Sequence, residues 1–415
     1  MDKRRVVITG LGAINAAAND VEEYATALME GRCGIGPLTV FDPAGHMTAT
    51  AAEVKNLDPP RMVPAGFPLR RMSRADVLGA IAASQALESS GLLPLRPETA
   101  RDMGVVVGGG AGGLLEAEDF YRDYLARPGR GARFSRLAMA YCASTADHLT
   151  SHYGLYGPKA TFMTACSAGG TALGFARDLI QDGLAQTVLA GGVEPLCRMT
   201  YTAFNSLRAV DPDYCKPFDK NRAGLTLGEG SAFMVMESLE HARARGAGII
   251  AEFLGYGLSA DAHHMTAPDP EGRGAALAIK AALMDAGLAL EQIDYINAHG
   301  TATPANDPAE TKAIKAVFGP RAYRIPVSST KSMIGHTLGA AGSLEAAAVI
   351  LALGRSFIPP TVNHNEPDPA CDLDYVPRRA RFQEINIALS NSLAFGGNNT
   401  AVILARFTEK GMQHE

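Results

Sequence analysis

The sequence predicts an α/β fold built of two similar halves, on three observations. Short apolar stretches of strand character alternate with longer stretches of helical period along the whole chain. The rhythm starts again near residue 250. No Pro- or Ser-rich linker divides the repeats, so residues 1–250 and 251–415 should form one compact body. With 415 residues, 47% of them hydrophobic, the chain can bury a large core. A formal net charge of −5 and 20% charged residues exclude the basic footprint of a nucleic-acid binder.

In the first half, strands are predicted at 5–9, 104–107, 160–165, 187–190 and 233–237, with helices at 20–29, 74–90, 144–153 and 167–181. The second half gives strands at 249–258, 295–298, 327–329, 385–390 and 400–406, with helices at 274–286, 309–318 and 343–353. Short apolar strands separated by helices imply parallel-rich sheets covered on both faces. Proline-containing insertions at 36–72 and 195–226 read as loop-rich, where binding surfaces usually sit. The apolar run at 6–9 is too short for a signal peptide and reads as a first strand. No run of about 20 apolar residues appears, so no membrane span is expected. Six cysteines occur without a CxxC pair, which suits reduced thiols in a cytoplasmic chain.

Cys166 carries the strongest local signal. A strand is predicted to end at it and a helix to begin, with Gly183 as the stop. A thiol at a helix N-terminus feels the positive end of the dipole, which lowers its pKa and makes a nucleophile. Gly169 and Gly170 give up helix propensity in the first turn, which implies close packing there. The competing reading is a buried structural cysteine. His299, in Asn297-Ala-His299-Gly-Thr301-Ala-Thr303, falls at the carboxyl end of a strand, the usual place for a site in an α/β sheet. His336, in Lys331-Ser-Met-Ile-Gly-His336, follows another strand and precedes a helix. Either could be a hydrogen-bonded core residue. One thiolate and two imidazoles could also bind zinc, though no second ligand stands at short spacing.

These segments resemble the elongating β-ketoacyl-[acyl-carrier-protein] synthases, KAS I/II-type ketosynthases of the thiolase superfamily. The likeness runs along nearly the whole chain. It includes Val6-Val-Ile-Thr-Gly10, Thr164-Ala-Cys-Ser-Ala, Lys216-Pro-Phe-Asp219, Gly228-Glu-Gly230, Asp261-Ala-His-His-Met-Thr266 and Phe395-Gly-Gly-Asn-Asn399, besides the two histidine motifs.

The resemblance implies a thiolase-like, five-layered αβαβα sandwich and an acyltransferase, with a homodimer as its assembly. It implies a triad of Cys166, His299 and His336, with Lys331 organising the second histidine and Glu345 supporting it. Phe395 matches a gating phenylalanine whose N–H, with that of Cys166, forms an oxyanion hole. Thr301 and Thr303 match residues that hold a pantetheine arm. Asn297, Glu345, Ser390 and Asn391 match positions around a structural Na⁺ or K⁺ ion. The reaction is decarboxylative condensation of an acyl-Cys enzyme with a malonyl-carrier, as in fatty-acid, polyketide or polyene elongation. No organic cofactor is implied, because the phosphopantetheine belongs to the acyl carrier protein. Arg208 matches a docking arginine, and Arg61, Arg70, Arg71 and Arg74 cluster as a further basic surface for that carrier.

Other readings remain open. A degradative thiolase needs a second acid/base cysteine, which Cys371 in Asp368-Pro-Ala-Cys-Asp372 does not resemble. The Gly335-His336 motif argues against a Cys-His-Asn site. A non-catalytic chain-length factor lacks the cysteine, although the chain could pair with one. The turn Gly108-Gly-Gly110-Ala-Gly-Gly113 matches GxGxxG after a strand, a weak sign of dinucleotide binding. Against its relatives the chain has Ala394 for a gate glycine, an unusual segment at 134–142, and Ala111 for a bulky residue. With Arg136 and Met139, Ala111 is expected at the acyl pocket, which small alanine would deepen.

Overall fold

The computed structural model describes residues 3–127 and 131–409. Ten strands form one sheet: β1 Val6–Asn15, β2 Gly104–Gly108, β3 Lys159–Phe162, β4 Thr187–Glu194, β5 Gly230–Ser238, β6 Ala251–Ala260, β7 Tyr295–Asn297, β8 Val327–Ser328, β9 Ile387–Ala394 and β10 Asn398–Ala405. Their spatial order is β8-β7-β9-β10-β6-β1-β5-β4-β2-β3. Within each half of five strands this is the same order, 3-2-4-5-1. Pairings 3-2 and 2-4 are parallel, and pairings 4-5 and 5-1 antiparallel, in both halves. The duplication is therefore written in topology as well as in rhythm. The halves join where β1 meets β6 over three residue pairs, Val6↔Phe253 to Ile8↔Ala251.

The sheet is mixed, not parallel-rich. In the second half β9 and β10 are linked only by the turn Phe395–Gly397, and so short a link makes antiparallel neighbours. β1 also runs well past the predicted residue 9, through Gly10 and Gly12. These glycines are points of close approach, not turns. Helix α1, Arg74–Ser89, lies so near that a Cβ at Gly12 would sit 1.9 Å from the Ala82 carbonyl oxygen. The second half repeats the device, with Gly255 and Gly257 of β6 under helix α3, Arg273–Ala286.

Between the two half-sheets lie helix α2, Ala168–Gln181, and helix α5, Ala341–Arg355, each touching strands of both halves. With α1 outside the first half, and α3 and α4 (Asn306–Phe318) outside the second, the layers read αβαβα. Residues 338–355 form, among the described residues, the one helical stretch long and apolar enough to cross a membrane, and that stretch is the buried centre of the fold.

Candidate active site

Each half contributes to the site from the segment between its third strand and the next helix. β3 ends at Phe162, earlier than the predicted 165, because the chain must turn sharply there. Ala165 takes φ +51°, a left-handed conformation that a side chain disfavours. That bend presents Cys166 in a 3₁₀ turn ahead of α2. The equivalent segment after β8 carries Lys331 in a single helical turn, Lys331–Ile334, and then His336 before α5. His299 stands two residues beyond β7.

These groups converge. His336 Nε2 lies 3.1 Å from Cys166 Sγ, and the rings of His299 and His336 meet edge to face with centroids 5.2 Å apart. The backbone of His336 is pinned to 226–228, through its N–H to Thr226 O and its carbonyl oxygen from Gly228 N. The N–H of Leu338 donates to His336 Nδ1 at 3.2 Å. Lys331 Nζ stands 3.2 Å from His299 Nδ1, donates to the carbonyl oxygen of His299 at 2.6 Å, and is also bound to Glu345 Oε1, so it organises His299 and not His336, whose Nδ1 is met by a backbone N–H instead. A nitrogen that accepts from an N–H carries no hydrogen of its own. Both imidazoles therefore carry their hydrogen on Nε2, and that of His336 faces the sulphur.

That tautomer argues against zinc. The sulphur and one nitrogen of each imidazole lie within 4.8 Å of one another, but a dication needs Nε2 lone pairs where the hydrogen bonds put N–H, and it would share the pocket with the Lys331 ammonium. Burial, helped by the Lys331 charge, holds both imidazoles well below their ordinary pKa, so they are neutral donors. The thiol departs from the sequence-based expectation. Burial pushes Cys166 up to about 12, and Lys331 and the Phe395 N–H only partly offset this. Desolvation of a fully covered sulphur outweighs the helix terminus, so the resting thiol is protonated.

The gate follows. Phe395 begins the turn after β9, its ring stacked on Phe204 at 5.3 Å. Ala394 has φ −125°, extended backbone that any residue adopts, so the alanine costs nothing in this state of the turn. A cavity of about 260 Å³ opens above the site. Buried Cys166, His299 and His336 form its floor, Thr301 and Thr303 one wall, and exposed Arg208 part of its rim. The two threonine hydroxyls lie 3.1 Å apart.

The other expected residues are placed less uniformly. Arg61, Arg70 and Arg71 are exposed. Arg74 is not available to a partner: its guanidinium grips buried Glu229 by two hydrogen bonds, at 2.5 and 2.7 Å. Ala111 and Met139 are buried but do not line the open cavity. Ala111 belongs to an apolar cluster that includes Phe204 and Leu225, both of which do line it. Arg136 is tied to Asp123 at 2.9 Å. Asn297 Oδ1, Glu345 Oε2, Ser390 Oγ and Asn391 Oδ1 are all buried and lack a hydrogen-bond partner. Asn297 and Ser390 are direct neighbours on β7 and β9. Four orphaned oxygens, one of them on a carboxylate, fit a hard monovalent cation.

Glu310 was missed by sequence reasoning. It is buried in α4 and accepts the N–H groups of His299 at 2.7 Å and Gly300 at 2.8 Å. Asp307, one turn earlier, likewise accepts from Phe218 and Ala302. Acids at i and i+3 on the same face as Ala313, Ile314 and Val317 were the available signal.

Comparisons with known proteins agree with this geometry. The profile of the β-ketoacyl synthase N-terminal domain matches residues 3–242, and that of the C-terminal domain matches 250–365. The chain is 44% identical to 3-oxoacyl-[acyl-carrier-protein] synthase 2 of Synechocystis sp., over 98% of this chain and 99% of that one. It superposes on the ishigamide ketosynthase/chain length factor structure with TM-score 0.93 and 39% identity, covering 98% of this chain and 100% of that one. It also superposes on a type II PKS ketosynthase solved in complex with its acyl-carrier protein, with TM-score 0.86 and 30% identity, covering 98% and 100%.

Proposed function

The chain belongs to the β-ketoacyl synthase family, and we propose on that premise a reaction path and a role for each residue of the site. The protein is a β-ketoacyl-acyl-carrier-protein synthase, an acyltransferase that elongates carrier-bound acyl chains. The observation that supports the assignment of roles is the Nε2–H tautomer that hydrogen bonds to Nδ1 set on both imidazoles, with that of His336 turned toward the Cys166 sulphur.

In the first half-reaction, Cys166 attacks the thioester of an acyl-carrier. The N–H groups of Cys166 and Phe395 receive the tetrahedral oxyanion, and the thiol proton leaves with the carrier's phosphopantetheine thiol. Malonyl-carrier then enters along Thr301 and Thr303. His299 and His336 donate their Nε2–H bonds to its thioester carbonyl, where charge builds as the C–C bond breaks and CO₂ departs. Neutral donors stabilise that enolate without protonating its carbon. The carbon attacks the acyl-Cys166 carbonyl, the C–S bond breaks, and a β-ketoacyl-carrier two carbons longer is released. Lys331 holds the His299 tautomer throughout.

Asn297, Glu345, Ser390 and Asn391 would hold a Na⁺ or K⁺ ion, which supplies positive charge beside the buried Glu345 carboxylate. Arg208, Arg71, Arg70 and Arg61 are the exposed cations available to an acidic carrier surface. β3 is an edge of the sheet, and exposed Tyr156 and Met163 flank it in sequence. Such an apolar edge suits a second copy of the chain, the homodimer reading, or a chain-length-factor-like subunit. Incubation with an acyl-carrier should add one acyl mass to the parent and none to Cys166→Ala, with condensation lost. A persistent adduct in that variant would remove Cys166 as the nucleophile.

A further inference from the structure

The glycine-rich turn Gly108–Gly113 resembles a phosphate cradle, and the fold has already filled it. Glu194, the last residue of β4, is 1% exposed and points its carboxylate into the turn. Its Oε2 accepts from Gly110 N at 2.8 Å and its Oε1 from Ala111 N at 2.7 Å. A third N–H reaches Oε2 from elsewhere, that of Gly339 at 2.9 Å. Among the described residues, no Lys or Arg pairs with this carboxylate. It is a buried carboxyl group in a nest of peptide N–H groups, which leaves no room for a dinucleotide phosphate.

Gly339 belongs to the loop that carries His336. Between them stands Leu338, at φ +43°, a costly conformation for leucine that persists only where its surroundings dictate it. Leu338 N donates to His336 Nδ1, and the next N–H donates to Glu194. The carboxylate thus anchors the strained loop that fixes the His336 tautomer. The approach is close: a Cβ at Gly339 would lie 2.5 Å from Glu194 Oε2. On its other side the carboxylate holds Ala111, whose apolar cluster backs the cavity at Phe204 and Leu225.

We propose that Glu194 is a positioning residue that couples the turn at Ala111 to His336, so that an acyl chain in the cavity, pressing on Phe204 and Leu225 and through them on the Ala111 cluster, sets how His336 presents its Nε2–H. The inference rests on the condensing reading above. Burial raises the Glu194 carboxyl to about 7 against the pull of its three N–H groups. A carboxylate kept buried without a cation is expensive, which suits a part with a task beyond packing.

Glu194→Gln turns one acceptor oxygen into a donor facing a donor. It should slow malonyl-carrier decarboxylation about tenfold, the scale of one lost charged hydrogen bond, and change short-chain acylation of Cys166 much less. Ala111→Met, which crowds the turn, should slow decarboxylation in the parent and add nothing in the Glu194→Gln background. Equal slowing of both half-reactions by Glu194→Gln, or two factors that simply multiply, would overturn the coupling. The parent gives an independent test if the variant fails to fold. With ¹⁵N-labelled histidine, the His336 Nδ1 resonance should differ between short-acyl and long-acyl enzyme, and an identical resonance overturns the proposal. Acyl-Cys166 that forms normally beside a negative result removes only the coupling; a parent that never forms it removes the condensing reading and this one together.

Discussion

Lys331 Nζ sits 3.2 Å from His299 Nδ1 and 2.6 Å from the carbonyl oxygen of the same residue, and its remaining hydrogen goes to Glu345. One ammonium therefore sets the tautomer of the imidazole and the path of its backbone together. Lys331→Met should cost about 3–5 kcal/mol of stability, because it strands the Glu345 carboxylate in the core. It should slow malonyl decarboxylation more than it slows acylation of Cys166. Calorimetry and CO₂ release measure the two effects, and equal slowing of both half-reactions would contradict the assignment.

The proposed roles of His299 and His336 as donors, not bases, predict that their removal weighs on the malonyl half-reaction. His299→Ala or His336→Ala should slow decarboxylation by about 10²–10³, the scale for an oxyanion donor, and acylation less. The pH dependence follows from the lowered pKa values. Both rings stay neutral as pH falls through the ordinary histidine value of about 6.5, so neither should lower the decarboxylation rate between pH 8 and pH 6, and a change in that range belongs to the buried carboxyls of Glu194 and Glu345, each raised to about 7. The contribution of the two imidazoles to folding follows from the same lowered values. It is full above the unfolded value and is lost as pH falls toward the depressed folded one. A loss of rate centred at pH 6.5 that persists in Glu194→Gln would show that one imidazole titrates freely.

Neighbouring arginines should behave as opposites. Arg71→Glu and Arg208→Glu should raise the KM for acyl-carrier at low salt and leave the melting temperature nearly unchanged, and high salt should imitate them in the parent. Arg74→Ala should instead lower stability by about 3 kcal/mol, since Glu229 would remain buried without its partner. Unchanged carrier kinetics in both reversals would remove this face from docking.

The orphaned oxygens make a prediction about ions. Thermal stability should be higher in K⁺ or Na⁺ than in an equal concentration of a large organic cation. Asn391→Ala or Ser390→Ala should abolish that difference. Melting curves that do not respond to the cation in the parent would exclude the site.

Much of this was legible because strand ends and helix starts are local signals. Cys166, His299 and His336 each stand at such a junction, and the topology needed only to bring three junctions together. Long-range packing was not legible. Gly10 and Gly12 look like a strand's end until α1 is laid across them, and Arg74 looks like its exposed neighbours until Glu229, distant in sequence, is placed against it. The dipole argument for a reactive Cys166 failed for the same reason: a sequence shows the helix but not how completely the sulphur is covered. Glu194 acts on backbone N–H groups, which every sequence contains and none advertises; Glu310 does the same and was marked only by its place on the apolar face of its helix.

The repeated order of five strands carries a mechanical consequence. The sulphur rides on one copy of the repeat and both imidazoles on the other, so the distance between Cys166 and His336 is a distance between two leaves of a hinge. Its bearing is the contact between α2 and α5, where Gly170 and Gly342 let the backbones nearly touch; a Cβ at Gly342 would stand 2.5 Å from Gly170 N. Whatever thickens that bearing, even by one methyl group, pries the leaves apart with the nucleophile on one and its hydrogen-bond donors on the other. The spacing between Cys166 and His336 is thus machined at a joint outside the lining of the cavity.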